Sequence, residues 1–298
     1  MSTIRHTHFA SSASVALPAL LMAAFAGGLA VQAGLFRAAP TDFPVPATIR
    51  VEPHDFTYRP AGEFYKDGFA VDAPKVEVRR TQPLDITKYQ VTTAEYDTCV
   101  AQGACPPREA TTPSSFDMPA TSISHDDATA YAEWLSARTD AVWTLPSDED
   151  LAFAAGSKFP DDALGVDPDS KNPALRWLAD YQREAARKAS RDPAPQPLGQ
   201  FGEGEYGLAD FAGNVWEWTS TCNRKVTLGE GGSAAYSSES CGIYIASGKH
   251  RSPLSSFIRD PKSGGCSVGT PPDNVGFRLI RDDSWYARLV FAFRQAAS

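Results

Sequence analysis

Residues 206–219 read YGLADFAGNVWEWT, and the interpretation of the chain starts from this stretch. Its two tryptophans, Trp216 and Trp218, are large aromatic side chains of the kind that fill protein cores. Its two acids, Asp210 and Glu217, flank a glycine-containing turn that can aim backbone carbonyls inward. The stretch therefore predicts a loop whose aromatic residues are buried. Taken by themselves, its acids are expected to face solvent or a basic side chain.

The composition is that of a globular protein. With 42% apolar residues, the 298-residue chain can form one large domain or two small ones. The 23 prolines and 22 glycines are spread along the sequence, which excludes a collagen-like protein and favours many loops. A net charge of −8 is a poor match for a phosphate backbone, so no nucleic-acid partner is expected.

The N-terminal residues determine the expected compartment. Residues 15–36 are uncharged and apolar, and the one charged residue before them is Arg5. Such a stretch partitions into hydrocarbon and can span a bilayer as a helix. It is either a signal peptide, cleaved after Ala33, or an inner-membrane anchor; a buried core helix is the third interpretation. The first two put the rest of the chain in the periplasm or outside the cell, touching the membrane only through this segment.

Export also affects how the five cysteines are interpreted, because an oxidising compartment favours disulfides. Cys99 and Cys105 lie six positions apart across a turn, which predicts a local disulfide. One further pair can form among Cys222, Cys241 and Cys266, and the sequence leaves that pair open.

Local signals predict a mixture of short helices and strands. Thr92 begins a helix through a capping box with Glu95, Ser124 opens a second helix, and Ser147 opens a third that ends at Gly156. Residues 161–197 are expected to be irregular apart from one helix near 177–188. Strands are predicted at 48–58, 69–79 and 84–91, with short strands and glycine turns after residue 199.

Four further segments carry a resemblance to a known family. They read DITKYQVT at 85–92, ISHDDA at 123–128, LPSDE at 145–149 and NVGFR at 274–278. In this order, and with YGLADFAGNVWEWT between the third and the fourth, they resemble the formylglycine-generating enzyme family, the sulfatase-modifying factor domain. The resemblance implies an α+β, C-type-lectin-like fold that is rich in loops and low in regular secondary structure, preceded by an N-terminal hydrophobic helix.

The resemblance also divides the chain. Residues 1–38 are the signal peptide or membrane anchor, and residues 39–60 form a linker and the first strand. The formylglycine-generating-enzyme-like domain covers residues 61–282. Residues 283–298 remain as a C-terminal tail.

The family implies a structural Ca²⁺ in the tryptophan-bearing loop. The matching ligands are the carboxylates of Asp210 and Glu217 and the backbone carbonyls of Gly213 and Val215. Calcium takes several oxygen ligands, so it would fix a loop that has little regular structure of its own.

The sequence departs from the family at the copper site. The copper oxidases of the family bind metal through two cysteines five positions apart, and the matching positions here fall near Arg251 and Ser255 or Ser256. A guanidinium and a hydroxyl do not replace two thiolates on Cu(I), so formylglycine formation by that route is not expected. Cys241 and Cys266 are candidate catalytic residues if they meet in space. The redox metal, iron or copper, stays open.

His250 and Arg251 lie close to where the family has its chemistry, and they are candidate catalytic residues. With Arg259 and Lys262 they make a local basic cluster in an acidic protein. The cluster indicates a pocket for an anionic substrate or a histidine that acts as a general base; the alternative is a solvated turn. His125, in the first turn of a predicted helix, is expected to be solvated or hydrogen-bonded.

Two functions from different classes follow. The first is an exported, metal-dependent oxidative maturation factor that acts on another exported protein or peptide. The second is a non-catalytic binding or assembly factor that holds such a partner on the lectin-like scaffold. A structural surface protein is a third, weaker interpretation, and metal content separates the first two.

Overall fold

The computed structural model describes residues 44–109, 113–189, 194–261 and 274–297, together with Met22 and Phe25. Except for those two positions, the predicted leader at 1–38 lies outside the described residues, as do Cys266 and Lys262. No helix in the described ranges combines the length and the apolar character needed to cross a membrane.

The first three helices of the described chain begin where the sequence predicts. Each begins with a capping box, in which the N-cap side chain and the side chain three positions later each accept a hydrogen bond from the other residue's backbone N–H. The pairs are Thr92 with Glu95, Ser124 with Asp127 and Ser147 with Asp150. The helices are α1 (Thr93–Ala101), α2 (His125–Arg138), α3 (Asp148–Ala155), α4 (Pro173–Ala189) and α5 (Ala287–Ala297).

The strands form three sheets, and the predicted α+β class is confirmed. The strands are β1 (Thr48–Val51), β2 (Asp55–Tyr58), β3 (Glu63–Lys66), β4 (Phe69–Val71), β5 (Val76–Arg79), β6 (Leu84–Thr87), β7 (Val142–Thr144), β8 (Trp216–Leu228), β9 (Ala234–Ser247), β10 (Arg251–Ser255), β11 (Val275–Gly276) and β12 (Ile280–Asp282). One sheet has the order β1-β6-β12-β7, and β2 pairs with β5. The largest has the order β10-β9-β8-β3-β4, with β11 parallel to β8.

Two predicted strands are each broken in two, at Pro53 and at Pro74, because proline cannot donate a backbone hydrogen bond to a sheet. The prediction of short strands after residue 199 is correct for β10, β11 and β12 but wrong for β8 and β9, which form a long hairpin. The first nine residues of β9 are exposed, so no alternation of apolar and polar residues marked this strand. The predicted C-terminal tail contains a helix, α5.

Two disulfides use four of the five cysteines. Cys99 and Cys105 are joined, as their spacing predicts. Cys222 of β8 is joined to Cys241 of β9, which identifies the second pair that the sequence left open. This bond links the two strands of the long hairpin where their register is irregular.

The tryptophans of residues 206–219, which we call the tryptophan-bearing loop, are core residues, as predicted. They do not lie in the predicted loop itself, because Trp216 and Trp218 are the first and third residues of β8. Trp218 packs with aromatic residues of α1 and α2 and with Phe277, in the larger of the apolar clusters. A second cluster joins Ile86 of β6 to α3 and Phe211. Because Phe211 and Trp218 belong to different clusters, the tryptophan-bearing loop connects the two parts of the core.

Candidate functional site

A cavity of about 380 Å³ opens beside the turn that joins β9 to β10. Strands β3 and β4 contribute one wall and α4 another. We call this cavity the charged pocket; its lining includes Arg59, Asp72, Asp162, Arg176, Arg183, His250 and Arg251. A concave site with a few converging polar groups is the usual form of a ligand site.

Arg251 is buried between two carboxylates. Its Nε donates to Oδ2 of Asp162 at 2.8 Å, and its Nη1 donates to Oδ2 of Asp148 at 3.2 Å and to the carbonyl of Arg59. Burial opposes the charge of Arg251, but the two carboxylates outweigh it and raise the pKa of the guanidinium. Burial also raises the pKa of Asp148. Arg251 therefore ties β10 to the start of α3 and positions the pocket wall.

His250 lies in the turn that borders the pocket, and it is 8% exposed. Its ring meets the indole of Trp216 edge-on, with 4.0 Å between the ring centroids. A Cβ on Gly248 would lie 2.8 Å from the same indole, so only glycine allows the turn to approach Trp216 this closely. The indole of Trp216 is therefore in contact with His250, and this contact connects the tryptophan-bearing loop to the wall of the pocket.

Of the predicted basic cluster, His250 and Arg251 line the pocket and Arg259 does not. Arg259 lies elsewhere, where it donates two hydrogen bonds to Asp127, at 2.6 and 2.9 Å. Lys262 falls outside the described residues. The arginines of the pocket face carboxylates; Arg176, for example, lies 2.9 Å from Asp72. The guanidinium groups that line the pocket are thus paired with carboxylates, which does not favour an anionic substrate, and such a substrate stays a prediction.

The structure describes one of the two cysteine candidates. Cys241 is bonded to Cys222, so it offers no thiol, and Cys266 lies outside the described residues. At the positions that match the copper ligands, the guanidinium of Arg251 is held by acids. The chain between 44 and 297, as far as it is described, contains no group of three or more His, Cys, Asp or Glu residues that could hold a metal. The residues present do not fit thiolate-bound copper.

The two acids of the tryptophan-bearing loop are wholly buried. The carboxylate of Asp210 accepts hydrogen bonds from the backbone N–H groups of Gly199, at 2.5 Å, and Phe201, at 2.9 Å. The carboxylate of Glu217 accepts from Nε and Nη2 of Arg278, at 2.5 and 2.6 Å, and from the side-chain amide of Gln90 at 2.6 Å. Glu217 is therefore half of a bidentate, buried ion pair.

These partners bear on the predicted calcium ligands Asp210, Gly213, Val215 and Glu217. A cation at Glu217 would lie beside the buried guanidinium of Arg278, and the two like charges would repel each other strongly at low dielectric. One side-chain oxygen of Gln90 is buried there without a hydrogen-bond partner, but calcium takes about 6–8 oxygens. With Arg278 paired to Glu217 the residues present do not fit calcium, and the calcium site that the family resemblance implies stays a prediction to be tested against this ion pair.

Arg278 is the residue that sequence reasoning missed. Its side chain is wholly buried, and its remaining N–H groups donate to the backbone carbonyls of Thr87, Lys88 and Ala209 at 2.9–3.2 Å. All five guanidinium N–H groups are thus used. The signal was present as a single arginine in the apolar segment VGFRLI at 275–280.

His125 is buried, which corrects the expectation of a solvated residue. Its ring stacks on Tyr244 with 3.6 Å between centroids and meets Trp218 edge-on at 5.7 Å. Burial lowers the pKa of His125 to about 4, although nearby Asp126 acts in the opposite direction. The histidine is therefore a neutral aromatic core residue at neutral pH.

The fold and the site together define a class: loop-rich α+β proteins in which a tryptophan-bearing loop and a Gly-Phe-Arg segment meet beside a pocket. The chain belongs to the family of the sulfatase-modifying factor enzyme 1-like domain, which it matches over residues 32–283. This match confirms the resemblance and the fold expected from the sequence.

Three known proteins are similar to the chain. The formylglycine-generating enzyme of Mycobacterium tuberculosis is 31% identical over 111 residues, a match that covers 35% of this chain and only 33% of that enzyme. PvdO from Pseudomonas aeruginosa has the same fold, with a TM-score of 0.51 at 19% identity over 82% of this chain and 98% of PvdO. The likeness to CarF is weaker, with a TM-score of 0.42 at 18% identity over 80% of this chain and 98% of CarF.

The Arg278–Glu217 pair should dominate local stability. Arg278→Met leaves a buried carboxylate unpaired and should lower the free energy of unfolding by about 3–5 kcal/mol in denaturant titration. The double variant Arg278→Met with Glu217→Leu should lose less than the sum of the single losses. Arg79→Met, which breaks an exposed pair with Asp55, is the control and should cost about 0–1 kcal/mol. Additive losses at 217 and 278 would contradict the pairing.

His125 should make the fold less stable in mild acid. In the unfolded chain histidine titrates near pH 6.5, so between pH 6.5 and 4 the unfolded state binds more protons than the folded state. Stability contributed by neutral His125 is therefore lost as pH falls through that range. His125→Phe keeps a ring against Tyr244, and between pH 7 and 5 it should lose less unfolding free energy than the wild type, by about 1–2 kcal/mol. Parallel losses in the two proteins would refute this assignment.

Proposed function

We propose that the protein matures another protein or a peptide, and that a segment of this partner binds in the charged pocket. The observation that carries the proposal is the position of the pocket. It lies beside His250, and its wall contains Arg251. These are the residues that the family resemblance implies to be close to the chemistry. Membership of a family of sulfatase-modifying factors supports a maturation role and a protein partner.

The lining of the pocket suits a peptide. Aromatic side chains of β3 and α4, among them Phe64, Tyr65 and Trp177, alternate with ion pairs that are already satisfied within the protein. Apolar surface and scattered hydrogen-bonding groups are what a peptide segment needs, because it brings both side chains and backbone amides. A small anion would need unpaired positive charge.

The chemistry proposed for the pocket is oxidative, as the likeness to a formylglycine-generating enzyme suggests. His250 is the imidazole that lines the pocket, and we propose it as the general base that takes the proton of a substrate thiol. No step is assigned to copper, because a paired guanidinium occupies a position that matches one of its thiolate ligands. Iron or copper at another place in the chain stays a prediction.

A non-catalytic binding or assembly factor is the second candidate, and one observation favours it. Arg251 is tied to Asp148 and Asp162 where the copper oxidases need a thiolate, and Cys241 is held in a disulfide. A scaffold with a retained pocket and an altered metal site can still hold a partner.

We also propose that the protein is exported to the periplasm, with residues 15–36 as a signal peptide or an inner-membrane anchor. Two disulfides in the described part of the chain support this location, because the cytosol keeps most thiols reduced.

The test offers the full-length protein a cysteine-containing peptide in air. Elemental analysis gives the iron and copper content, an oxygen electrode gives oxygen uptake, and mass spectrometry gives the fate of the peptide. We expect peptide-dependent oxygen uptake, with loss of most activity in His250→Ala and little change in His54→Ala. His54 is the matched control because it stacks between Phe153 and Tyr206 and does not line the charged pocket.

Peptide binding that depends on the pocket, without oxygen uptake or redox metal, would replace the oxidative function with the assembly function. If the peptide neither binds nor causes oxygen uptake, both candidate functions are overturned. Unchanged activity in His250→Ala would overturn the assignment of the reaction to this pocket.

A further inference from the structure

The C-terminal helix exposes an apolar face. The face consists of Trp285, Tyr286, Leu289, Val290 and Phe293, all of them exposed. Trp285 and Tyr286 form the turn just before α5, and the N–H of Val290 donates to the carbonyl of Tyr286 at 3.0 Å, so the helical spacing extends back to this turn. Positions 285, 289 and 293 are four residues apart, and 286 and 290 repeat that spacing, so the five side chains share one side. The opposite side is buried through Ala287 and Ala292. We call these five residues the α5 face.

The orientation of this face is fixed by the domain. Nη1 of Arg288 donates to the carbonyl of Ser136 at 2.8 Å, and Nη2 donates to the carbonyl of Thr139 at 2.9 Å. Both acceptors belong to the C-terminal end of α2 and the residue after it. The apolar side chains are therefore presented outward by a helix that is held against the rest of the protein.

The N-terminal part of the chain joins the domain at the same end. Val45 lines a cavity of about 450 Å³ together with Ala287 and Arg288. The uncharged segment 15–36 ends nine positions before Val45. Nine residues of extended chain reach at most about 30 Å, so a membrane-inserted segment would hold Val45, and with it the end of the domain that carries α5, close to the bilayer.

We infer that the α5 face binds the interfacial region of a phospholipid bilayer, as a second contact beside an N-terminal segment that is retained as an anchor. Tryptophan and tyrosine are the residues that favour this region, and helices with one apolar side lie in it. The short tether raises the local concentration of the bilayer at the face, so a modest apolar patch is sufficient.

The charges at this end indicate which lipid is required. Arg288 and Arg294 on the helix are balanced by Asp282 and Asp283 just before it. The contact is therefore apolar and does not need anionic lipid. No residue that lines the charged pocket also lines the cavity at Val45, so the proposed contact and the proposed partner site use different residues.

Tryptophan fluorescence provides the test, because the α5 face contains a tryptophan whose fluorescence can be measured directly. Residues 1–43 contain no tryptophan, and two of the six tryptophans are exposed: Trp177 at 70% on α4 and Trp285 at 90%. The full-length protein is reconstituted into vesicles of phosphatidylcholine with brominated acyl chains, which quench nearby indoles. The expected result is quenching that Trp285→Phe largely abolishes and that the matched variant Trp177→Phe leaves in place. Added salt should change it little.

A further variant, Phe293→Ser, should weaken the quenching of Trp285 while the protein keeps its wild-type circular dichroism. Equal quenching in the wild type and in Trp285→Phe would overturn the inference. Absence of quenching at Trp285 would also overturn the inference, because it would mean that something other than lipid, such as residues 15–36 or a second copy of the chain, covers the α5 face. Failure of the full-length protein to associate with the vesicles would overturn it too.

Discussion

The buried ion pair between Arg278 and Glu217 is the interaction on which the rest of the structure depends. The two residues are 61 positions apart, and both side chains are wholly buried. A buried pair offsets the cost of desolvation only when its remaining hydrogen bonds are also satisfied. Here every N–H of the guanidinium has an acceptor, including backbone carbonyls at the end of β6 and at Ala209. One side chain thus fixes the tryptophan-bearing loop, β6 and the Gly-Phe-Arg segment relative to each other.

The functional site follows from that constraint. Glu217 lies between Trp216 and Trp218, so fixing its carboxylate sets both indoles. Trp218 faces the core and donates its ring N–H to the carbonyl of Ile123, at the start of α2. Trp216 faces the other way, toward Gly248 and His250, and so sets the position of the histidine beside the charged pocket. The Arg251 ion pairs then hold the far side of the same turn.

Much of this could be predicted from the sequence, and the limits have physical causes. Capping boxes are local, so the starts of α1, α2 and α3 were evident. The spacing of Cys99 and Cys105 is local as well. The role of Arg278 was hidden because a single charge in an apolar segment gives no information about which distant carboxylate it meets. The long strand β9 was hidden because much of it is exposed, and the burial of His125 because its stacking partner, Tyr244, is remote in sequence.

The ion pair between Arg278 and Glu217 also determines whether the stability of the fold should depend on calcium. In this account the tryptophan-bearing loop is held by a guanidinium where the family resemblance implies a calcium ion. Thermal unfolding of the full-length protein in excess calcium, in excess magnesium and in chelator tests this most directly. The account predicts one melting temperature in all three conditions, because Arg278 already satisfies Glu217. A melting temperature that calcium alone raises, and that no longer responds to calcium in Glu217→Gln, would contradict it.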